Sequence, residues 1–301
     1  MEQTNRPFLA MGLRLLAIAC LSTMAMLVKY AVGSGIAFPE VLFWRQFLMA
    51  IVLLAWLAAR RDLGRLKTRR MPIHARRAVL GTIGLFLNFG APVLLPLAEA
   101  TVLGFTTAIF AVILSAAILK EKVGPIRWFA VVLGFAGVVV IAGPSLGDAS
   151  AFGVAVGLGA GLIVAIISIQ IRDLTRTEDS LTIVFWFAAI STPVLALFLP
   201  FYAHSHAPWQ WGLLLAMGLL GSLVQVLLTA ALRFGQVSSV VVMDYSGIVW
   251  ATLYGWLIWD DLPKLATILG APLVIAAGAI IAWREHKLHL RAVPASSAAV
   301  D

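Results

Sequence analysis

Charge is scarce in this 301-residue chain: only 12% of its residues are Asp, Glu, Lys or Arg, whereas 61% are hydrophobic. A soluble domain of this size needs a far more polar surface, so a mean hydropathy of +0.99 excludes a soluble enzyme. Cysteine is nearly absent. The single Cys20 lies in the first apolar stretch, which leaves no disulfide framework, no Cys-rich metal centre and no redox pair. The five histidines (His74, His204, His206, His286, His289) fall in expected loops or in the C-terminal tail. A serine protease acting within the membrane is thereby excluded, and its two-aspartate counterpart fails because Asp244 alone lies well inside an apolar stretch. No phosphate-binding loop is present, so ATP is not hydrolysed by this chain. The last apolar stretch has only Lys264 at its edge, which argues against a retinal protein. No cofactor or metal is expected.

Long apolar runs are what the chain does have. A bilayer core about 30 Å thick takes roughly 20 apolar helical residues to cross. Stretches of that length, bounded by charge or by Pro and Gly, fall at about 9–32, 38–59, 77–97, 100–119, 125–144, 151–172, 180–201, 209–232, 238–259 and 265–283. None alternates with period two, so the expected fold is all-α, a membrane protein of ten transmembrane helices and not a barrel. The first run is longer than a signal-peptide core and lacks a small-residue cleavage site, so it is expected to be retained. The tail at 287–301 is expected to be disordered and cytoplasmic.

The net charge of +8 raises the question of nucleic acid, but the distribution answers it. Eight basic residues lie between the second and third stretches, from Arg60 to Arg77. With a cytoplasmic N-terminus, 19 of the 22 Lys and Arg residues fall on the inner side, leaving Lys29, Lys264 and the span-embedded Arg45. The positive-inside rule then gives N-in, C-in, with the bilayer and a small molecule as partners and no nucleic acid.

A repeat with a period of about 140 residues runs through the chain. Val41-Leu42-Phe43-Trp44 matches Ile183-Val184-Phe185-Trp186, Glu121 matches Asp261, and Gly137 matches Gly278. The halves are expected at 1–148 and 149–286. Five spans per half is an odd number, so the second copy must be inverted relative to the first, an arrangement that suits alternating access around a midplane site.

The same residues carry a resemblance. The ten-span layout, Trp44-Arg45, Leu97-Ala98-Glu99-Ala100-Thr101, Leu119-Lys120-Glu121-Lys122, Arg127-Trp128, Leu133 to Gly137, and Tyr254-Gly255-Trp256-Leu257 through Asp260-Asp261 to Gly270 are similar to the EamA-type transporters of the drug/metabolite transporter superfamily. Within it the chain most resembles the YddG-type exporters. The resemblance implies multi-pass residence in a bacterial inner membrane and export of aromatic amino acids or methyl viologen. The second half departs from the pattern in having Trp186-Phe187 where the first has Trp44-Arg45.

Polar residues inside apolar spans are the candidate binding groups, because lipid makes each of them costly unless it is paired or faces a wet cavity. Asp244 is expected about 10 Å deep in the ninth span, either touching substrate or protons or bonded to neighbouring helices. Arg45 lies nearer the outer end of the second span; it either snorkels or caps carbonyls there, or it meets a substrate carboxylate, and its level argues against a direct pair with Asp244. Ser222, Gln225 and Thr229 share one face of the eighth span, as cavity lining or interhelical glue. Asn88 precedes Pro92 by one turn, which frees its carbonyl and predicts a kink. Thr107 lies near the repeat counterpart of Asp244. Phe86, Tyr245 and Trp250 offer rings for stacking, Gly153, Gly157 and Gly161 permit a close helix approach, and Trp128, Trp209, Trp211, Trp259 and Trp283 are expected in the interfacial belts.

These residues predict a secondary transporter that exports small organic solutes, most of all aromatic and other large apolar amino acids. An organic-cation exporter of the same fold and a non-transport scaffold or channel subunit remain as alternatives. Glu40 and Glu99 are expected at hydrated span ends. With Asp244 as the one deep carboxylate, no proton relay is expected and facilitated movement is favoured.

Overall fold

A computed structural model of the chain describes residues 7–118, 120, 123–142, 150–234 and 242–292, and among these all regular structure is helical. Twelve α-helices are described: α1 Pro7–Gly33, α2 Phe38–Ala59, α3 Met71–Leu94, α4 Leu97–Gly104, α5 Thr107–Ala117, α6 Pro125–Ala142, α7 Ser150–Leu174, α8 Ser180–Ala196, α9 Leu199–Tyr202, α10 Pro208–Phe234, α11 Gly247–Trp259 and α12 Leu265–Ala292. Short 3₁₀ segments precede α3 (Leu63–Leu66) and α11 (Val242–Ser246). Eight described helical segments are long and apolar enough to cross a bilayer; α8, with 17 residues, is shorter.

Local chemistry sets the boundaries. Pro39 and Pro72 stand in the first turns of α2 and α3, where a missing N–H costs nothing. The Asp179 side chain caps α8 by accepting from the Leu181 N–H at 2.8 Å. Asp260, in the left-handed conformation at φ 51°, ends α11.

Several boundaries differ from expectation: the fourth stretch is divided into α4 and α5, the seventh into α8 and α9, and the α-helix of the ninth begins only at Gly247. The helix at the third span begins at Met71, so His74 lies in its first turns and is buried, not in a loop. Its Pro92 falls in the last turn, so α3 continues past it and stops at Leu94. Helix α12 runs beyond Trp283 to Ala292, so the start of the tail at 287 is helical; Leu, Ala, Arg and Lys are good helix formers, and Lys287 lies 4.3 Å from the Trp283 ring one turn back. Residues 293–301, the Glu121–Lys122 pair and residues 238–241 of the ninth span lie outside the described residues.

The helices pair in a regular way. Helix α1 packs along α10 and α3 along α7; α2 packs on α8, α6 on α12, and α4 on α11. One core, with Met24, Leu42, Met49, Phe89, Phe187 and Met217, joins α1, α2, α3, α8 and α10. A second, with Leu103, Val138, Ile141, Val154 and Val274, joins α4, α6, α7 and α12. The glycine stripe of α7 is used as expected, since Gly157 and Gly161 admit Leu103 and Thr106.

Helices α6 and α12 cross with their backbones in close approach at two glycines. A Cβ on Gly137 would lie 2.8 Å from the Gly270 carbonyl oxygen, and one on Gly270 would lie 2.6 Å from that of Gly137. Gly137→Val and Gly270→Val are therefore expected to destabilise by about 1–3 kcal/mol each. Gly12→Val, with open space around it, serves as a near-neutral control. Thermal unfolding in detergent checks this; equal effects at all three positions would show that the crossing does not need glycine.

Candidate functional site

Two of the described helices begin from similar turns. Between α4 and α5 the helix gives way at Phe105–Thr106, and α11 is preceded by the 3₁₀ turn ending at Ser246. Thr106 and Ser246 flank the resuming helices with nearly the same backbone, φ −61°, ψ −13° and φ −61°, ψ −18°. Each hydroxyl donates to the carbonyl three residues back, Thr106 to Leu103 at 2.6 Å and Ser246 to Met243 at 2.7 Å. The Leu103 oxygen also accepts the Thr106 N–H at 3.1 Å, so that hydroxyl adds a second, local bond to a carbonyl already paired. Phe105 and Tyr245, the residues just before these hydroxyls, meet edge to face with ring centroids 5.0 Å apart. The contact joins the two turns.

Around it the structure gathers some of the expected residues and disperses others. Asp244, beside Tyr245, does not sit inside an α-helix: it lies in the 3₁₀ turn and takes a two-pronged ion pair from Arg14 of α1, at 2.6 and 2.7 Å. Arg14 is the residue missed by reading the chain; counted among the flanking cations, it lies within α1 with its side chain only 14% exposed. Trp250 stacks on Tyr254, whose hydroxyl is 2.7 Å from that of Thr23. Thr107 spends its hydroxyl on the Gly104 carbonyl at 2.8 Å. Phe86 belongs elsewhere, between Phe38 and Phe198. In α10, Ser222 is buried and bonds the Gly218 carbonyl, Gln225 is half-buried, and the Thr229 side chain lies outside the described set.

Asn88 is informative because it is exposed on the wrong side for lipid. Val79 and Ile83 mark the outward face of α3, whereas Arg77, Gly81, Leu85 and Pro92 are buried. Nine residues separate Val79 from Asn88, which is about 180° around a helix. Asn88 therefore points into the bundle, and its exposure there marks an interior opening.

Arg45 does not snorkel. It is 6% exposed, its Nε contacts the Met24 sulfur, its Nη1 donates to Gln46 at 2.7 Å, and its guanidinium lies 4.8 Å from the Phe89 ring centroid. Gln46 passes the network on to Ser191 of α8 at 2.9 Å. The Phe89 ring next to Asn88 holds it on the inner side. Nor are Glu40 and Glu99 hydrated: both are 2% exposed, and Glu40 shares Oε1 between His206 at 2.7 Å and the Trp44 indole at 3.3 Å. The segment carrying His206 folds back over the start of α2 and covers Glu40, a long-range contact invisible to span counting. Deep titratable groups are thus more numerous than Asp244 alone. Among the described residues no cluster of His, Cys, Asp and Glu is arranged to hold a metal. A separate apolar groove of about 450 Å³ between α11 and α12 is lined by Ile248, Pro263 and Pro272 among others.

A multi-pass helical membrane protein with an opening on the inner face of one helix and the turns of two others meeting inside the bundle has the form of a transporter. The chain belongs to the EamA-like transporter family, whose profile matches residues 8–143 and again 151–283. It is 32% identical over 267 residues to the pseudopaline exporter CntI of Pseudomonas aeruginosa, covering 88% of this chain and 93% of that one. It is 28% identical to a riboflavin transporter of Vibrio cholerae, over 90% and 91% of the two chains. It is 27% identical to an S-adenosylmethionine uptake transporter of Rickettsia prowazekii, over 91% and 92%. A solved crystal structure superposes with a TM-score of 0.63 over 90% of this chain and 96% of that one; at 22% identity it shows the shared fold. The relatives carry small metabolites, and the narrower likeness to YddG-type exporters has no counterpart among these three.

The Arg14–Asp244 pair ties α1 to the broken segment, so removing one partner leaves a part-buried charge alone. Asp244→Asn, Arg14→Met and the double variant should show a coupling of about 1 kcal/mol in a thermal-stability cycle. Additive effects would mean that the pair is not formed.

Proposed function

We propose that this protein is a bacterial inner-membrane secondary transporter that exports small organic solutes by alternating access. In this reading it has ten spans in two inverted five-span repeats, N-in and C-in. The carrying observation is the Phe105–Tyr245 contact. These residues are 140 apart, the repeat spacing, and so are Thr106 and Ser246 with their matched hydroxyl bonds. Repeat-equivalent residues touch each other only near a pseudo-twofold axis, where alternating-access transporters place their solute. The helix pairing supports the same reading, for if α1, α2, α3 and α6 correspond to α7, α8, α10 and α12, then α1 on α10 mirrors α3 on α7. The double match of the family profile, once in each half, supports it too.

The solute sits, in this proposal, on the inner face of α3 at Asn88, against Phe105 and Tyr245, with Arg45 close behind the wall at Phe89. Asn88 offers a donor and an acceptor, the rings offer stacking surface, and Arg45 supplies positive charge. That chemistry suits a zwitterion with a ring or large apolar group, an aromatic amino acid included. Two interior acids that could hold an organic cation, Asp244 and Glu40, are already engaged by Arg14 and His206. Solute enters between the halves from the side of the basic loop, and rocking about the central contact opens the other side.

Counterflow in liposomes across a panel of amino acids and organic cations tests the assignment. Asn88→Ala and Tyr245→Ala are expected to lower amino-acid counterflow about tenfold with expression near normal, while Tyr245→Phe, which keeps the ring, retains most of it. Flux of organic cations alone, or parent rates in both alanine variants, would contradict the site.

A further inference from the structure

A second interior feature is not used by that reading. Arg77 of α3 is 9% exposed, and its Nε and Nη1 are buried with no hydrogen-bond partner. Its guanidinium lies 4.3 Å from the Phe187 ring centroid of α8, over the backbone of Gly81, where any Cβ would collide with it. One turn earlier His74, 1% exposed, has both ring nitrogens without a hydrogen bond; its nearest acid, Glu178, is 3.9 Å away. On α7, Gln170 has a buried Oε1 without a partner. Gly84 of α3 faces Ile167 of α7 and the helices pack along each other, which puts Gln170 level with Gly81.

The aspartates at this end of the bundle pair with other arginines, and Glu178 is the acid left beside His74. Asp173 pairs with Arg70 at 2.6 Å, Asp62 and Asp179 with Arg65, and Glu178 accepts from Thr68 at 2.7 Å. Among the described residues Arg77 has no ion pair. A desolvated guanidinium without a counter-charge is strongly destabilising, and the planar five-donor fork is the side chain best matched to carboxylate and phosphate oxygens. A glycine that makes room for it and a ring that backs it are features of a built site rather than of a misplaced surface residue.

We propose that Arg77, with His74 and Gln170, forms a binding site for an anionic group, a carboxylate or phosphate, between α3, α7 and α8 at the basic-loop end of the bundle. Arg77 and Asn88 are eleven residues apart on α3, about 20° around the helix, so both lie on the inner face. If the anion belongs to the transported solute, which rests on the transporter reading above, this is its first stop on the way to Asn88. The other source of the same chemistry is the headgroup of an anionic lipid.

The test reads binding without transport, so a failed flux assay and a failed site are told apart. The full chain in neutral, lipid-free detergent is melted at matched ionic strength with chloride alone, inorganic phosphate, citrate, or phosphatidylglycerol. Phosphate, citrate or the lipid is expected to raise the melting temperature of the parent and of Arg77→Lys, and not that of Arg77→Gln. A rise with phosphate or citrate assigns the site to a solute, and a rise with phosphatidylglycerol alone assigns it to a lipid. In chloride alone Arg77→Gln or Arg77→Met is expected to melt no lower than the parent, since each removes an uncompensated charge. An equal rise in Arg77→Gln, no rise in the parent with any of the three, or a lower melting temperature of both neutral variants in chloride would overturn the proposal.

Discussion

Backbone polar groups in a bilayer have no water to bond, so a helix that breaks there must satisfy its freed carbonyls from within the protein. At two interior turns of this chain the backbone keeps short-range bonds and a hydroxyl adds another, Thr106 to the Leu103 carbonyl, which also holds the Thr106 N–H, and Ser246 to that of Met243. The residue before each hydroxyl is aromatic, and the two meet in the Phe105–Tyr245 contact. Much of the surrounding packing is built around these two segments. Helix α7 approaches the first turn over Gly157 and Gly161, and α1 approaches the second with Arg14 paired to Asp244.

The interior charges follow the expected economy of a low-dielectric medium with one consistent bias. Acids are answered locally: Asp244 by Arg14, Glu40 by His206. The basic groups Arg45 and Arg77 rest instead on aromatic faces, Phe89 and Phe187. Cation–π contacts soften desolvation but do not neutralise it. Positive charge is thereby kept close to the inner wall at Arg45 and Arg77, while the buried Glu99, with no ion pair among the described residues, stands outside this pattern.

Much of the fold was legible in the sequence because apolar run length and flanking charge report directly on spans; α2 matches its expected bounds, and α6 and α7 nearly so. The family was legible from motif order. The two turns were harder to read, since Thr106 and Ser246 bond locally and leave the hydropathy of their spans unchanged. Asn88, Asp244 and Tyr245 stand out in the sequence because a polar or aromatic residue in lipid needs a reason. Arg14, Arg77, His74 and Glu40 were misjudged together: near a span end, sequence position does not tell whether a neighbouring segment folds over a residue. Phe86 was drawn in by ring type alone, and its partners prove to be Phe38 and Phe198.

The central claim is that the inner face of α3 is wet at Asn88 and that this opening lies on the solute path. Reactivity of a single thiol at position 88 reads this most directly. In a Cys20→Ser background, Asn88→Cys in liposomes is expected to react with a charged, membrane-impermeant thiol reagent, and a transported solute should slow that reaction. Ile83→Cys, on the lipid face, should stay inert. Reactivity at position 88 as low as at position 83 would mean that Asn88 faces no aqueous interior, and the account of the site would fail.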